Sequence, residues 1–137
     1  RMRVVEELAL PAGRYATVID PTAIVSRYAS IAEGTVVLQG AIVNAGTAVG
    51  RHAILNTGCT VDHDCRIGDY AHVSPGAHLA GGVAVGEGAH LGIGACAIPG
   101  CSVGDWSVIG AGAAIVKDIP MKCVAVGVPA KVVRILP

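Results

Sequence analysis

Val61-DHDCR-Ile67-GDYAH-Val73-SPGAH-Leu79-AGGVA-Val85 sets five aliphatic residues six apart, and the register runs on in both directions. Stepping by six from Val25 to Ile115 meets sixteen positions, and fifteen are Val, Ile or Leu, with Ala97 the exception. Four residues after each of the first fifteen lies a small side chain, among them Ala53, Cys59, Cys65, Ala71, Ala77 and, as the largest, Val83. Neither the 3.6-residue period of a helix nor the alternation of a half-buried strand yields a period of six. A hexapeptide unit with one aliphatic and one small inward residue makes one side of a three-sided coil. Three units, eighteen residues in all, close a turn. The predicted fold is all-β: a left-handed parallel β-helix, an exception to the rule of right-handed crossovers. About five coils at strand spacing make a prism on the order of 25 Å tall. Gly50, Gly68, Gly86 and Gly104 are spaced by eighteen and read as corner residues taking positive φ, with Asn44 and Asn56 as further corner residues that tolerate it.

Composition agrees with a narrow interior. The chain has 137 residues, enough for one domain with a core, and is 53% hydrophobic with no Phe, one Trp and 19 Gly. Ten basic and ten acidic residues give zero formal charge, so no electrostatic footprint for nucleic acid or an anionic membrane is expected. No apolar run is long enough to span a bilayer and no signal peptide is legible. Five cysteines without metal-type spacing point to a reducing, cytoplasmic setting. Cys59, Cys65 and Cys101 fall in inward slots; Cys96 and Cys123 do not. The repeat is assigned to residues 21–116. Residues 1–20 read as a short helix (Met2, Val5 and Leu8 at helical spacing) and a connecting strand, and 117–137 as a cap over the open end of the prism.

Residues eighteen apart stack. The corner after Val43, Val61, Leu79 and Ala97 reads NAG, DHD, AGG and IPG on successive coils, so His63 and Asp64 lie beneath Gly81 and Gly82, then Pro99 and Gly100. His63 thus opens onto a smooth track about 10 Å long at strand spacing, suited to a slender ligand arm. An isolated corner histidine is more often simply solvated; the track and the adjoining carboxylates favour a general base, with either Asp62 or Asp64 as the acid that orients it. His72 and His90 stack on the outer surface, where His72 is placed to polarise a carbonyl. A zinc site would need a third ligand beside that pair, and none is legible, so no metal is expected. His52 and His78 read as surface residues.

The repeat, together with NTGCTVDHDC (56–65), HVSPGAHLAGGV (72–83), VIGAGAAIVKDIP (108–120) and VGVPAK (126–131), resembles the hexapeptide-repeat acyltransferases, and within them the sialic acid O-acetyltransferase and nucleotide-aminosugar N-acetyltransferase family. That resemblance implies a homotrimer with acetyl-CoA as co-substrate in the groove between prisms. It implies His63 as catalytic base with Asp64 as its acid, His72 at the acetyl group, and Gly81, Ile93 and Ala111 along the CoA groove, where Ala111 departs from the glycine also found there. Gly82 joins them on the track read from the residues. The implied reaction moves an acetyl group to an amine of a nucleotide-linked sugar in glycan biosynthesis. The alternatives are O-acetylation of a sugar or sialic acid, a zinc lyase of γ-carbonic-anhydrase type, and a non-catalytic trimeric scaffold. Such proteins usually begin with a Gly-rich nucleotide-binding domain; no such motif is present, and 1–20 resembles the end of one.

Overall fold

In a computed structural model describing residues 1–137, each hexapeptide contributes a two-residue strand that pairs in parallel with the strand eighteen residues away. The strands build three faces of a prism. The first face carries Val18–Ile19, Val36–Val37, Ile54–Leu55, His72–Val73, His90–Leu91 and Val108–Ile109. The second runs from Ile24–Val25 through Thr60–Val61 and His78–Leu79 to Ala114–Ile115, and the third from Ser30–Ile31 to Ser102–Val103. The fold is the left-handed β-helix predicted from the repeat. It has about six turns rather than five, because Val18–Ile19 already pairs with Val36–Val37.

The second residue of each strand points inward and the first outward, so the aliphatic column and the small column both face the axis. Leu55, Val61, Val73, Leu79 and Leu91 are fully buried, as are Ala53, Cys59, Cys65, Ala71 and Ala77. No ring side chain lies among the 28 buried residues of this core, which explains a hydrophobic chain without phenylalanine. Where a hydroxyl replaces the small residue it is satisfied by backbone: Thr35 Oγ1 donates to Gly50 O at 2.7 Å and Thr47 Oγ1 to Asp62 O at 2.6 Å. Burial pushes the Cys59 thiol up to about 12, a packing residue with no nucleophilic character.

The corners correct the reading of the glycines. Positive φ falls on the third corner residue, at every sixth position from Gly34 to Gly112, with φ between 55° and 74°. Glycine fills ten of those fourteen positions, and His52, Asp64, Tyr70 and Trp106 fill the others. Gly50, Gly68, Gly86 and Gly104 precede that position and do not have positive φ; Asn44 and Asn56 do not either. Their role is clearance. A Cβ on Gly68 would sit 2.6 Å from Glu87 N and 2.7 Å from Gly86 C, both backbone atoms of the next coil.

The ends are closed differently. Helix α1, Met2–Leu8, buries none of its residues. Tyr15 beyond it packs edge-on against His52, whose other side stacks on Tyr70 at 5.2 Å. His52 is therefore 5% exposed rather than a surface residue, and burial holds its pKa below the ordinary value. Gly34 makes this possible, since a Cβ there would collide with the His52 ring. At the other end Cys123–Val126 extends the first face in parallel over Val108–Ile109, and Lys131–Ile135 returns antiparallel beside it. Cys123 is buried in this cap, whereas Cys96 is exposed on the second face.

Candidate active site

The corner Asp62-His63-Asp64 joins the second face to the third. It is fixed from below by Thr47, whose hydroxyl donates to Asp62 O and accepts from Cys65 N at 3.1 Å. Asp64 N donates to Ala45 O on the coil beneath, and Gly82 N on the coil above donates to His63 O at 2.9 Å. Backbone held on both sides gives the His63 side chain a defined origin.

Asp64 occupies the positive-φ position, with φ of 58°. Its carboxylate turns to His63, Oδ2 lying 2.9 Å from Nδ1. A carboxylate only accepts, so Nδ1 carries the proton and the Nε2 lone pair is left open. The other candidate, Asp62, is engaged elsewhere: its Oδ1 accepts from Asn44 Nδ2 and from His63 N, each at 2.8 Å. The hydrogen bond to Asp64 and the charge of Asp62 hold the His63 pKa above its ordinary value.

Two absent side chains make room for this pair. A Cβ on Gly46, one coil below, would strike the Asp64 carboxylate, and one on Gly81, one coil above, would lie 2.6 Å from His63 Cε1 and Nε2. Both side chains of the pair remain exposed, at 63% for His63 and 72% for Asp64. An ion pair that open contributes little to folding, while a non-glycine residue in the left-handed region costs about 1–2 kcal/mol. Stability therefore does not account for the arrangement; an imidazole with one oriented nitrogen and one free nitrogen does.

Gly81 and Gly82 lie directly above His63, at one edge of the second face. Ile93 and Ala111, both exposed, lie at the corners between the first and second faces, so the predicted CoA-lining residues flank the two edges of one outer surface. His72 is apart from them, on the outer surface of the first face and half-buried. Its ring stacks on His90 at 4.7 Å with 5° between planes. Asn56, read from the sequence only as a corner residue, holds it. Asn56 Oδ1 accepts from Thr57 N, which identifies Nδ2 as the atom 3.0 Å from His72 Nε2. His72 Nε2 thus accepts and Nδ1 carries the proton. Burial, then His90 and Arg1, lowers its pKa, so the ring is neutral at neutral pH. No three His, Cys, Asp or Glu side chains gather where a metal ion would sit.

No protein-family model matches the chain, and no curated protein sequence does. Solved structures do. The acetyltransferase domain of PglB from Neisseria gonorrhoeae is 42% identical with a TM-score of 0.92, the match covering 97% of this chain and 65% of that one. PerB from Caulobacter crescentus, crystallised with CoA and GDP-perosamine, is 43% identical with a TM-score of 0.89 over 95% of this chain and 65% of its own. The β-solenoid and these neighbours are consistent with a hexapeptide-repeat acyltransferase. WeeI from Acinetobacter baumannii, at 24% identity and TM-score 0.87, shares the fold. The chain spans about 65% of the length of the PglB and PerB chains. No helix of the chain is long and apolar enough to cross a membrane.

Proposed function

We propose that the chain is the catalytic domain of an acetyl-CoA-dependent N-acetyltransferase acting on a nucleotide-linked amino sugar. The observation that carries this is the His63–Asp64 pair, with Nδ1 fixed at 2.9 Å and Nε2 open beneath Gly81. Similarity to the PglB acetyltransferase domain, one structure of which holds acetyl-CoA, and to PerB with CoA and GDP-perosamine supports the donor and the acceptor class. Variants of the Caulobacter perosamine N-acetyltransferase with one histidine replaced have also been crystallised with both ligands, which supports a histidine at the chemistry.

In this mechanism the neutral amine nitrogen forms a bond to the thioester carbonyl carbon while its proton passes to His63 Nε2. Asp64 keeps the tautomer and stabilises the imidazolium. The tetrahedral oxyanion collapses, the C–S bond breaks, and the imidazolium returns its proton to the CoA thiolate. An acceptor that arrives as an ammonium first releases a proton, so one proton appears per amide formed. The acetyl arm lies along Gly81 and Gly82, with Ile93 and Ala111 on the far edge of the same face.

His72, as a neutral Nδ1–H donor, stabilises the oxyanion. Within one prism the first face lies opposite the corner of His63, so His72 reaches the reacting group from a neighbouring prism. This supports a homotrimer with active sites between subunits. Use of acetyl-CoA on nucleotide sugars suits a cytoplasmic enzyme. The test is release of CoA thiol that depends on the amino sugar, with acetylated product identified by mass spectrometry. Acceptor-independent thiol release alone, with no amide, would refute the reading.

A further inference from the structure

The Asp62 carboxylate carries more than its corner requires. Its Oδ1 alone makes both protein contacts, to Asn44 Nδ2 and His63 N. At the equivalent corner one side earlier, neutral Asn56 makes the same contact, Thr57 N to Asn56 Oδ1 at 2.8 Å. A neutral amide therefore suffices for the turn. The negative charge and the second oxygen, which has no partner in the chain, are surplus to it.

Asp62 opens onto a shallow cavity of about 340 Å³ on the outer surface of the second face, lined also by Ile42, Asn44, Thr60, His78 and Cys96. No lysine or arginine lines this cavity. His78 Nδ1 is tied to Thr60 Oγ1 at 2.9 Å, and the remaining charged neighbours at the corner, His63 and Asp64, are bound to each other. The Asn44 hydrogen bond, then the His63 backbone N–H, keep the Asp62 carboxyl below the usual carboxylate range, so it is anionic at neutral pH. The cavity runs along the second face past the catalytic corner, from Asn44 on the coil below to Cys96 and Ala97 two coils above, whereas Gly81 and Gly82 lie on the corner itself.

We propose that Asp62 is the residue that selects a protonated amine over a hydroxyl: its free oxygen holds the acceptor's ammonium in the second-face cavity, one residue from His63. The assignment rests on the acetyltransferase reading for its acceptor and deepens it. A primary amine on a sugar is largely protonated near neutral pH, and an anionic hydrogen-bond acceptor distinguishes it from a hydroxyl by a charge-assisted contact. Once the ammonium gives up its proton to solvent, the contact weakens and the nitrogen is free to attack. Asp62 is thus a specificity-determining residue, distinct from the base.

The experiment uses the 137-residue chain, its Asp62→Asn form, and as a charge-retaining control Asp62→Glu, each checked for native circular dichroism. Paired probes are GDP-perosamine and its analogue with a hydroxyl in place of the amine. Binding is followed by NMR titration at low and high salt, and transfer by product ratio with both acceptors competing for acetyl-CoA. The wild type is expected to bind the amine more tightly, with the preference shrinking at high salt. Asp62→Asn should lower the amine preference about tenfold, the scale of one charge-assisted hydrogen bond, and Asp62→Glu should retain most of it. An amine preference in binding that is equal in wild type and Asp62→Asn overturns the proposal while leaving the transferase intact. Loss of preference in the variant without any acetylated product in the wild type keeps the cation site and removes the transferase. Should Asp62→Asn not fold, Asp62→Ser serves in its place, with the same outcomes.

Discussion

Replacing Gly81 by alanine separates the geometry of the base from the stability of the fold. Gly81 does not have positive φ, so alanine meets no backbone strain. Its Cβ would lie 2.6 Å from both Cε1 and Nε2 of His63 and 3.2 Å from Cδ2. Restoring an ordinary contact of 3.4 Å requires about 0.8 Å of movement. The backbone of the coil is held by a ladder of hydrogen bonds, including Gly82 N to His63 O, whereas the imidazole is 63% exposed and free to swing. The ring moves, and the shift breaks the alignment of Nε2 with the acetyl track and strains the bond to Asp64. Stability should change by less than about 0.5 kcal/mol, the range of surface substitutions. The rate should fall on the order of 10²-fold, because misplacement of a catalytic group by about 1 Å costs that much. Gly82→Ala is the control. Its φ of +70° makes alanine strained, but nothing lies closer than the Gly100 backbone at 4.0 Å and the ring is untouched. It should lose about 1 kcal/mol of stability and, lying on the acetyl track, weaken acetyl-CoA binding while leaving kcat at saturating acetyl-CoA near that of the wild type. Thermal melts and thiol-release kinetics on the two variants check both halves. A Gly81→Ala enzyme with wild-type kcat, or one whose loss of rate is matched by loss of fold, would refute the reasoning.

Asp64→Asn should lower the plateau rate and move the acidic limb of the pH profile to lower pH. The hydrogen bond that His63 Nδ1 donates to Asp64 raises the His63 pKa, so removing the charge lets the base become neutral at a lower pH; kcat against pH between 5 and 9 reads it. Gly68→Ala should destabilise by about 1–3 kcal/mol through overpacking, because its Cβ would meet Glu87 N and Gly86 C, backbone atoms that cannot swing aside. Chemical denaturation against Gly58→Ala, where no atom lies within 4 Å and only the φ of +63° is unfavourable, compares collision with strain.

The fold was legible because every coil repeats the same demand on the same columns, so periodicity alone located Val61, Ile67 and Val73 in the core. The conformation of the corners was not. Glycine is required there for two different reasons, left-handed backbone at Gly58 and clearance at Gly68, and composition does not separate them. Following the positive-φ column by six from Gly34 would have, since it passes through Asp64 and marks that aspartate as the one departure from glycine on its edge of the prism. The stacking of His63 beneath Gly81 followed from the eighteen-residue period. The choice between Asp62 and Asp64 did not, because it depends on side-chain direction set by φ at one residue. His52 was misread as exposed: its burial needs Tyr15 from outside the repeat, Tyr70 from the next coil and the missing Cβ of Gly34, three elements far apart along the chain. The contact of Asn56 with His72 was not legible for the same reason, since it crosses sixteen residues.

The most direct test of the central claim is acceptor-dependent CoA release by His63→Ala beside the wild type. Both should be shown by circular dichroism to keep the β-helix, since His63 is an exposed corner side chain whose loss opens no cavity. The account predicts a kcat lower by about 10²–10⁴-fold in the variant, the scale of a lost general base, with acetyl-CoA still bound. A folded His63→Ala enzyme that turns over within a few-fold of wild type would contradict it.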